Sequence, residues 1–176
     1  MDLKNSKTYE NLKKAFAGES QARNAYTYFS SVARKEGYFQ IANFYEFLAK
    51  NEKEHAKIWY KFLHDGKIGT TDQNLKDSID GEHEEWSKMY KEFEQTAKEE
   101  GFLDIAEKFS LTAKVEKAHE GKLAKYLNDM KSDRLHREGT DVMWICKNCG
   151  YIHYGKEAPE SCPLCEHPRG YFEVQY

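Results

Sequence analysis

Glu52-x-x-His55 in NEKEHA and Glu116-x-x-His119 in VEKAHE each place a carboxylate and an imidazole three residues apart, and GEHEEW (Gly81–Trp86) places Glu82 and Glu85 at the same interval. On an α-helix that interval is about 60° of rotation and about 4.5 Å of rise, so both side chains can reach one metal ion. Oxygen-rich ligation with one imidazole per metal suits iron or manganese better than zinc. A second feature lies in the tail, where Cys146-x-x-Cys149 and Cys162-x-x-Cys165 are separated by twelve residues. Two such knuckles make a tetrahedral four-thiolate site, which takes the place of an apolar core in a short segment. Spacing alone favours a zinc ribbon there.

Helices must carry the carboxylates. Glycines mark their ends, and the apolar spacing predicts helices at about 8–36, 38–64, 74–100 and 102–131. The only long link before the tail, LHDGKIGTTDQN, fits a crossover connection. Alternating steps of four and three give a stripe of Ile41, Tyr45, Leu48, Glu52, His55, Trp59 and Phe62 on the second helix. On the fourth they give Ile105, Phe109, Thr112, Glu116, His119, Leu123 and Tyr126. The first helix shows Leu12, Phe16, Glu19, Arg23 and Tyr26, and the third Leu75, Ile79, Glu82, Trp86, Met89 and Phe93. A glutamate therefore interrupts every apolar stripe, and stripes face a bundle interior. An isolated helical glutamate is ordinarily exposed, but four at corresponding stripe positions are not independent accidents. Buried together as anions, Glu19, Glu52, Glu82, Glu85 and Glu116 would each cost several kcal/mol, and two metal cations would neutralise them. This is the established constellation of di-iron and di-manganese carboxylate bundles: a glutamate from each of two helices and Glu-x-x-His from each of the others.

The halves also repeat. KEGYFQIANFYEFLAKNEKEHA, from Lys35, matches EEGFLDIAEKFSLTAKVEKAHE, from Glu99, at a shift of 64 residues, which predicts two helix pairs related by a pseudo-twofold axis. All four cysteines and all three prolines follow Asp141, so the chain divides into a proline-free helical part and a stapled tail. A net charge of −3 with interspersed signs offers no basic stripe for nucleic acid and no polybasic membrane anchor. MDLKNSKTYENLKK lacks the apolar run of a signal peptide, and no stretch approaches the roughly 20 apolar residues of a membrane span. The expected compartment is the cytoplasm, where paired cysteines bind metal or carry redox chemistry rather than form structural disulfides.

In the tail, CGY after the first knuckle and the CPLC of the second are similar to rubredoxins, which moves the expected metal from zinc to iron. The whole chain then resembles the rubrerythrins. AFAGESQARNAYTYF around Glu19, NEKEHA, GEHEEW with Met89 and Tyr90 following, VEKAHE, CKNCGY and CPLC all match in order and context. The resemblance implies a mainly α fold: a ferritin-like four-helix bundle with one long crossover over residues 1–138, and a small rubredoxin-like domain over 139–176.

It also implies a peroxidase acting on hydrogen peroxide in oxidative-stress defence. NAD(P)H would be the ultimate reductant, through rubredoxin or a flavoprotein reductase. The cofactors implied are a non-haem di-iron centre and one iron held by Cys146, Cys149, Cys162 and Cys165. In that family's pattern Glu52 and Glu116 bridge the irons, Glu19 and Glu82 are terminal carboxylates, and His119 holds the second iron. Glu85 binds the first iron when oxidised, and His55 replaces it on reduction. Tyr26 and Tyr90 match tyrosines that hydrogen-bond the ligands, although core packing accounts for them almost as well. Glu85, Glu52, Glu116 and His55 are the expected catalytic residues, with carboxylates including Glu85 relaying protons to the leaving oxygens. A head-to-tail homodimer is expected to pair each tail with the other subunit's bundle. The alternatives are a ferritin-like ferroxidase, which needs neither the tail nor Glu85, and a non-catalytic protein with a structural zinc ribbon. His83 and Glu84 read as solvated charges, Trp86 as a packing residue, and His64, His136, His153 and His167 as surface or turn residues.

Overall fold

The computed structural model describes residues 2–175. It divides into two compact units, Met1–Gly69 and Thr70–Tyr176. The first is a helix pair, α1 (Lys7–Lys35) and α2 (Phe39–Leu63). Ser6 caps α1, its hydroxyl accepting from the Tyr9 N–H at 3.1 Å. The helix stops at Gly37, whose φ of +86° only glycine adopts readily, and the Tyr38 N–H bonds back to the Ala33 carbonyl at 2.8 Å. Small buried residues, Ser30, Ala33, Ala42 and Ala56, let the two backbones approach. Phe16 against Tyr60 and Tyr26 against Tyr45 fill the space between the helices, with ring centroids 5.8 and 5.9 Å apart.

The second unit repeats this plan with one alteration. α3 (Thr71–Glu84) starts from the Thr70 cap and runs into a π-turn (Glu85–Met89), then α4 (Tyr90–Glu99); α5 (Leu103–Lys131) returns beside them. Gly101 has the same φ of +86° as Gly37, and the Phe102 N–H bonds to the Ala97 carbonyl at 2.8 Å. Ala97 and Ala106 are buried where Ala33 and Ala42 are, and Tyr90 packs on Phe109 where Tyr26 packs on Tyr45. The helices therefore follow the expected spans within a few residues, except that the third expected helix is broken by the π-turn. Each pair leaves part of its stripe open to solvent, as Ile41 and Phe62 on α2 and Ile105 and Tyr126 on α5 show. A helix pair has no second layer of its own with which to cover that face.

After α5 the chain turns through Asp133, in the left-handed region with φ +55°, into a three-stranded antiparallel sheet. β1 (Arg137–Cys146) lies between β2 (Ile152–Glu157) and β3 (Phe172–Val174). Its core is small: Trp144 at 1% exposure, with Cys146, Ala158, Cys162 and Phe172. The Trp144 indole donates to the Gly155 carbonyl at 3.0 Å, so its one polar atom is satisfied. Two of five core residues are cysteines whose sulfurs point to the knuckles, which ties the stability of this fold to what those sulfurs hold. The fold is mainly helical, with ferritin-like helices and a small four-cysteine strand domain, as the sequence leads one to expect.

Candidate metal centres

Helix spacing builds the first cluster. Glu52 and His55 share one face of α2, and Glu19 reaches them from α1. His55 Nδ1 lies 2.8 Å from Glu52 Oε2 and 4.0 Å from Glu19 Oε1. The second cluster copies it: His119 Nδ1 is 2.7 Å from Glu116 Oε2 and 3.7 Å from Glu82 Oε2. In each, one ligand atom from all three residues falls within 4.8 Å of the others. The Glu-x-x-His glutamates are the least exposed members, with 15% of the side chain open in both Glu52 and Glu116, and the histidines stand at the open edge.

Electrostatics single out the second cluster. Burial, reinforced by Glu116 and Glu85, pushes the Glu82 carboxyl above its ordinary range, with His119 opposing. The Tyr90 phenol is also raised, by burial first and then by Glu85, Glu116 and Glu82, so it faces the same carboxylates. Glu85 acts on both groups yet contributes no atom to the tight group of three. Tyr26, the counterpart of Tyr90, packs among Phe29 and Tyr45. Carboxylates crowded this closely, with too little positive charge of their own, are a site for a cation. The donor set fits iron: hard carboxylate oxygens and one imidazole in each cluster.

The expected stripe through Glu82, Trp86, Met89 and Phe93 needs correction. The N–H of Tyr90 bonds to the Glu85 carbonyl, five residues back, and this π-turn moves everything after Glu85 round by one position. Tyr90 rather than Met89 therefore comes to the carboxylates. Trp86 does more than pack: its indole N–H donates to Glu120 Oε2, and His83 Nδ1 lies 3.0 Å from Glu120 Oε1. The signal was present in the repeat. Glu19 and Glu82 are 63 positions apart, but Tyr26 and Tyr90 are 64 apart, so one residue has been added between them in the second half.

The tail sulfurs are also assembled. Cys146 Sγ is 3.8 Å from Cys165 Sγ, Cys149 Sγ is 3.6 Å from Cys162 Sγ, and all four lie within 4.8 Å. The two knuckles have the same backbone. The Gly150 N–H bonds to the Cys146 carbonyl and the Glu166 N–H to the Cys162 carbonyl, each at 2.8 Å, and Gly150 and Glu166 both have positive φ. The N–H of Cys146 reaches the Tyr151 carbonyl and that of Cys162 the His167 carbonyl, again at 2.8 Å each. The His167 backbone lowers the Cys165 thiol to about 6. The Tyr151 backbone favours the Cys149 thiolate, but burial and the other three sulfurs push that thiol up to about 12. Four thiolates together require a cation, and the tetrahedral set fits one iron.

Comparison with known proteins shows the family. The family description "Rubrerythrin" matches residues 10–89 and 73–142, and "Rubrerythrin, rubredoxin-like domain" matches residues 144–173. The rubrerythrin of Clostridium perfringens is 47% identical, over 98% of this chain and 96% of that protein. This chain belongs to the rubrerythrin family. The rubrerythrin of Porphyromonas gingivalis is 45% identical over 97% of this chain and 91% of its own length, and nigerythrin of Nitratidesulfovibrio vulgaris is 33% identical over 94% and 85%. A solved structure of fully reduced, all-ferrous nigerythrin is 33% identical, covering 97% of this chain and 87% of that one, with a TM-score of 0.37. Rubrerythrin membership makes the glutamate/histidine groups di-iron ligand clusters and the four cysteines a rubredoxin-type iron site. Among the described residues, no helix is long and apolar enough to cross a membrane.

Proposed function

We propose that this rubrerythrin-family oxidoreductase is a non-haem di-iron peroxidase, which reduces hydrogen peroxide to water with electrons delivered through the four-cysteine iron. The observation that carries the reading is Glu85. It is a carboxylate beyond the Glu, Glu-x-x-His set that the first cluster also has, it acts on Glu82 and Tyr90, and it opens the π-turn by which the two halves differ. A bundle that only stored or oxidised iron would need no such addition.

By the family's pattern, iron would be held by Glu52 and Glu116 as shared carboxylates, Glu19 and Glu82 as terminal ones and His119 as an imidazole ligand. Glu85 would be a further ligand to oxidised iron, and His55 would replace it on reduction. Iron bound there would supply the electrons for peroxide reduction, and iron on the four cysteines would pass electrons one at a time. The protein's own groups manage the protons. A carboxyl raised like that of Glu82 holds a proton more readily than an exposed glutamate does. The raised Tyr90 phenol stays protonated and can donate a hydrogen bond into the cluster.

The functional division is residues 1–138 for peroxide chemistry and 139–176 for electron entry. The expected partners are rubredoxin or a flavoprotein reductase drawing on NAD(P)H, in the cytoplasm, in oxidative-stress defence. α5 carries the chain from His119 to Lys131, about 18 Å along its axis at 1.5 Å per residue. That separation favours a head-to-tail homodimer, in which each tail serves the partner's cluster.

The test uses iron-loaded full-length protein with NADH and a flavoprotein reductase. The expected result is reductant-dependent peroxide consumption, ferric thiolate absorption from the tail, and three irons per chain if the assignment of both centres holds. Peroxide consumption no faster in the presence of reductant than in its absence would overturn the reading.

A further inference from the structure

We propose that Glu120 is a positioning residue: it clamps the π-turn and thereby holds Glu85 where the second cluster needs it. A π-turn is less stable than the α-helix it interrupts, so it persists where something outside the backbone ladder holds it. Glu120 on α5 meets both ends of the α3 junction. One carboxylate oxygen accepts from the indole N–H of Trp86, inside the turn, and the other lies 3.0 Å from Nδ1 of His83, one position before Glu84 closes α3. His83 stands edge-on to the Trp86 ring, with centroids 5.2 Å apart. Lys117 and Lys91 approach the indole, their Nζ atoms 4.8 and 5.4 Å from its centroid. The indole is thus fixed through its N–H, its edge and its π-face, and Trp86 is the residue directly after Glu85.

The repeat supplies a control within the same chain. In the first half, which has no π-turn, the carboxylate and both of its partners are missing. Ser20 stands where His83 would be, Arg23 where Trp86 would be, and a buried Ala56 where Glu120 would be. Insertion and clamp therefore occur together in the half that has Glu85. A charged acceptor bonded to two neighbours is suited to this task, because each bond to an ionised group is stronger than a neutral one and the carboxylate's two oxygens fix direction as well as distance.

The proposal rests on the proposed role of Glu85 only for its effect on turnover; the hold on the backbone can be measured without peroxide. The experiment is amide hydrogen exchange on the full-length, iron-loaded protein, comparing wild type, Glu120→Ala, Trp86→Phe and the double variant. Trp86→Phe removes the donor but keeps an aromatic ring, so it serves if Glu120→Ala does not fold. Each single variant is expected to speed exchange at residues 86–90 by about tenfold or more. The double variant should add little, because both changes remove the same contact. Exchange in the first turns of α3 and in β1 should stay as in wild type, as should iron content, while kcat for peroxide falls at unchanged KM. Unchanged exchange at 86–90, or a rise spread evenly over α3 and α5, would overturn the clamp. If the turn loosens as expected but wild-type protein shows no reductant-dependent peroxide turnover, the clamp stands and the peroxidase reading falls.

Discussion

The backbone N–H of Tyr90 bonds to the carbonyl of Glu85, five residues back rather than four. That one bond is the structural difference between the two halves of an otherwise repeated helix pair. It turns Tyr90 to the carboxylates of the second cluster, where the α-helical reading would put Met89. It also gives Glu85 a setting that no residue of α1 has.

Deleting Ser87 restores the seven-residue spacing between Glu82 and Tyr90 that Glu19 and Tyr26 have. The expected product is a continuous helix with unchanged or higher helical circular dichroism, since an α-turn replaces a π-turn. Peroxide turnover should fall by about tenfold or more, in the range lost when a positioned proton donor is displaced. Turnover within twofold of wild type would show that the inserted residue does not matter to the chemistry.

Glu82 and Glu85 should respond differently to removal. Glu82→Ala takes an oxygen from the tight group of three and should lower iron content measured by metal analysis. Glu85→Ala leaves that group whole, so iron content should hold while peroxide turnover drops by about 10²-fold or more. Equal loss of iron in both variants would make Glu85 an ordinary ligand.

Much of this was legible in the sequence, for physical reasons that can be named. Glu52-x-x-His55 and Glu116-x-x-His119 were readable because helical geometry alone puts each pair on one face. The ends at Gly37 and Gly101 were readable because a left-handed stop demands glycine. The knuckles were readable because their spacing leaves few other uses. What escaped were contacts that depend on a neighbouring helix. His83 and Trp86 look like a solvated charge and a packing residue on their own helix, and only α5 shows that both are bound to Glu120. The π-turn leaves only a one-residue change in the repeat interval, which a comparison centred on Gly37 and Gly101 does not reach.

Metal removal should unfold the small domain without melting the helices. Its core counts Cys146 and Cys162 among its members beside Trp144, and thiolates without a cation repel one another. Chelation, or Cys162→Ala, should abolish the ferric thiolate bands and shift tryptophan emission to the red as Trp144 meets water. Far-UV helicity should persist. A small domain that kept a buried Trp144 after complete metal loss would show that the apolar core suffices.

Asp129 predicts a specific acid response where α5 ends. The Lys125 ammonium, 2.5 Å away, and Arg134 hold its carboxyl below the usual carboxylate range. A carboxyl whose folded pKa is depressed stabilises fully above its unfolded value of about 3.9, and that contribution is lost as pH falls through the folded value. Asp129→Asn should therefore cost about 1 kcal/mol near neutral pH, the modest size reflecting half-exposed cations, and the difference from wild type should begin to shrink only below about pH 4 and disappear once pH has fallen below the depressed folded value. Urea denaturation at a series of pH values measures this. A difference that persisted unchanged at low pH would assign the effect to packing rather than charge.

The proposed peroxide reduction depends on iron held by glutamate/histidine clusters and on Glu85. Its most direct test is single-turnover stopped-flow mixing of fully reduced, iron-loaded protein with hydrogen peroxide, following the ferric thiolate band of the four-cysteine site. One equivalent of peroxide should be consumed for every two electrons lost, and the band should then grow as the cysteine iron gives up its electron. Glu85→Ala should slow the first event by about 10²-fold or more with iron retained. Peroxide that disappears no faster than with oxidised protein, or a band that grows at the same rate in Glu85→Ala, would contradict it.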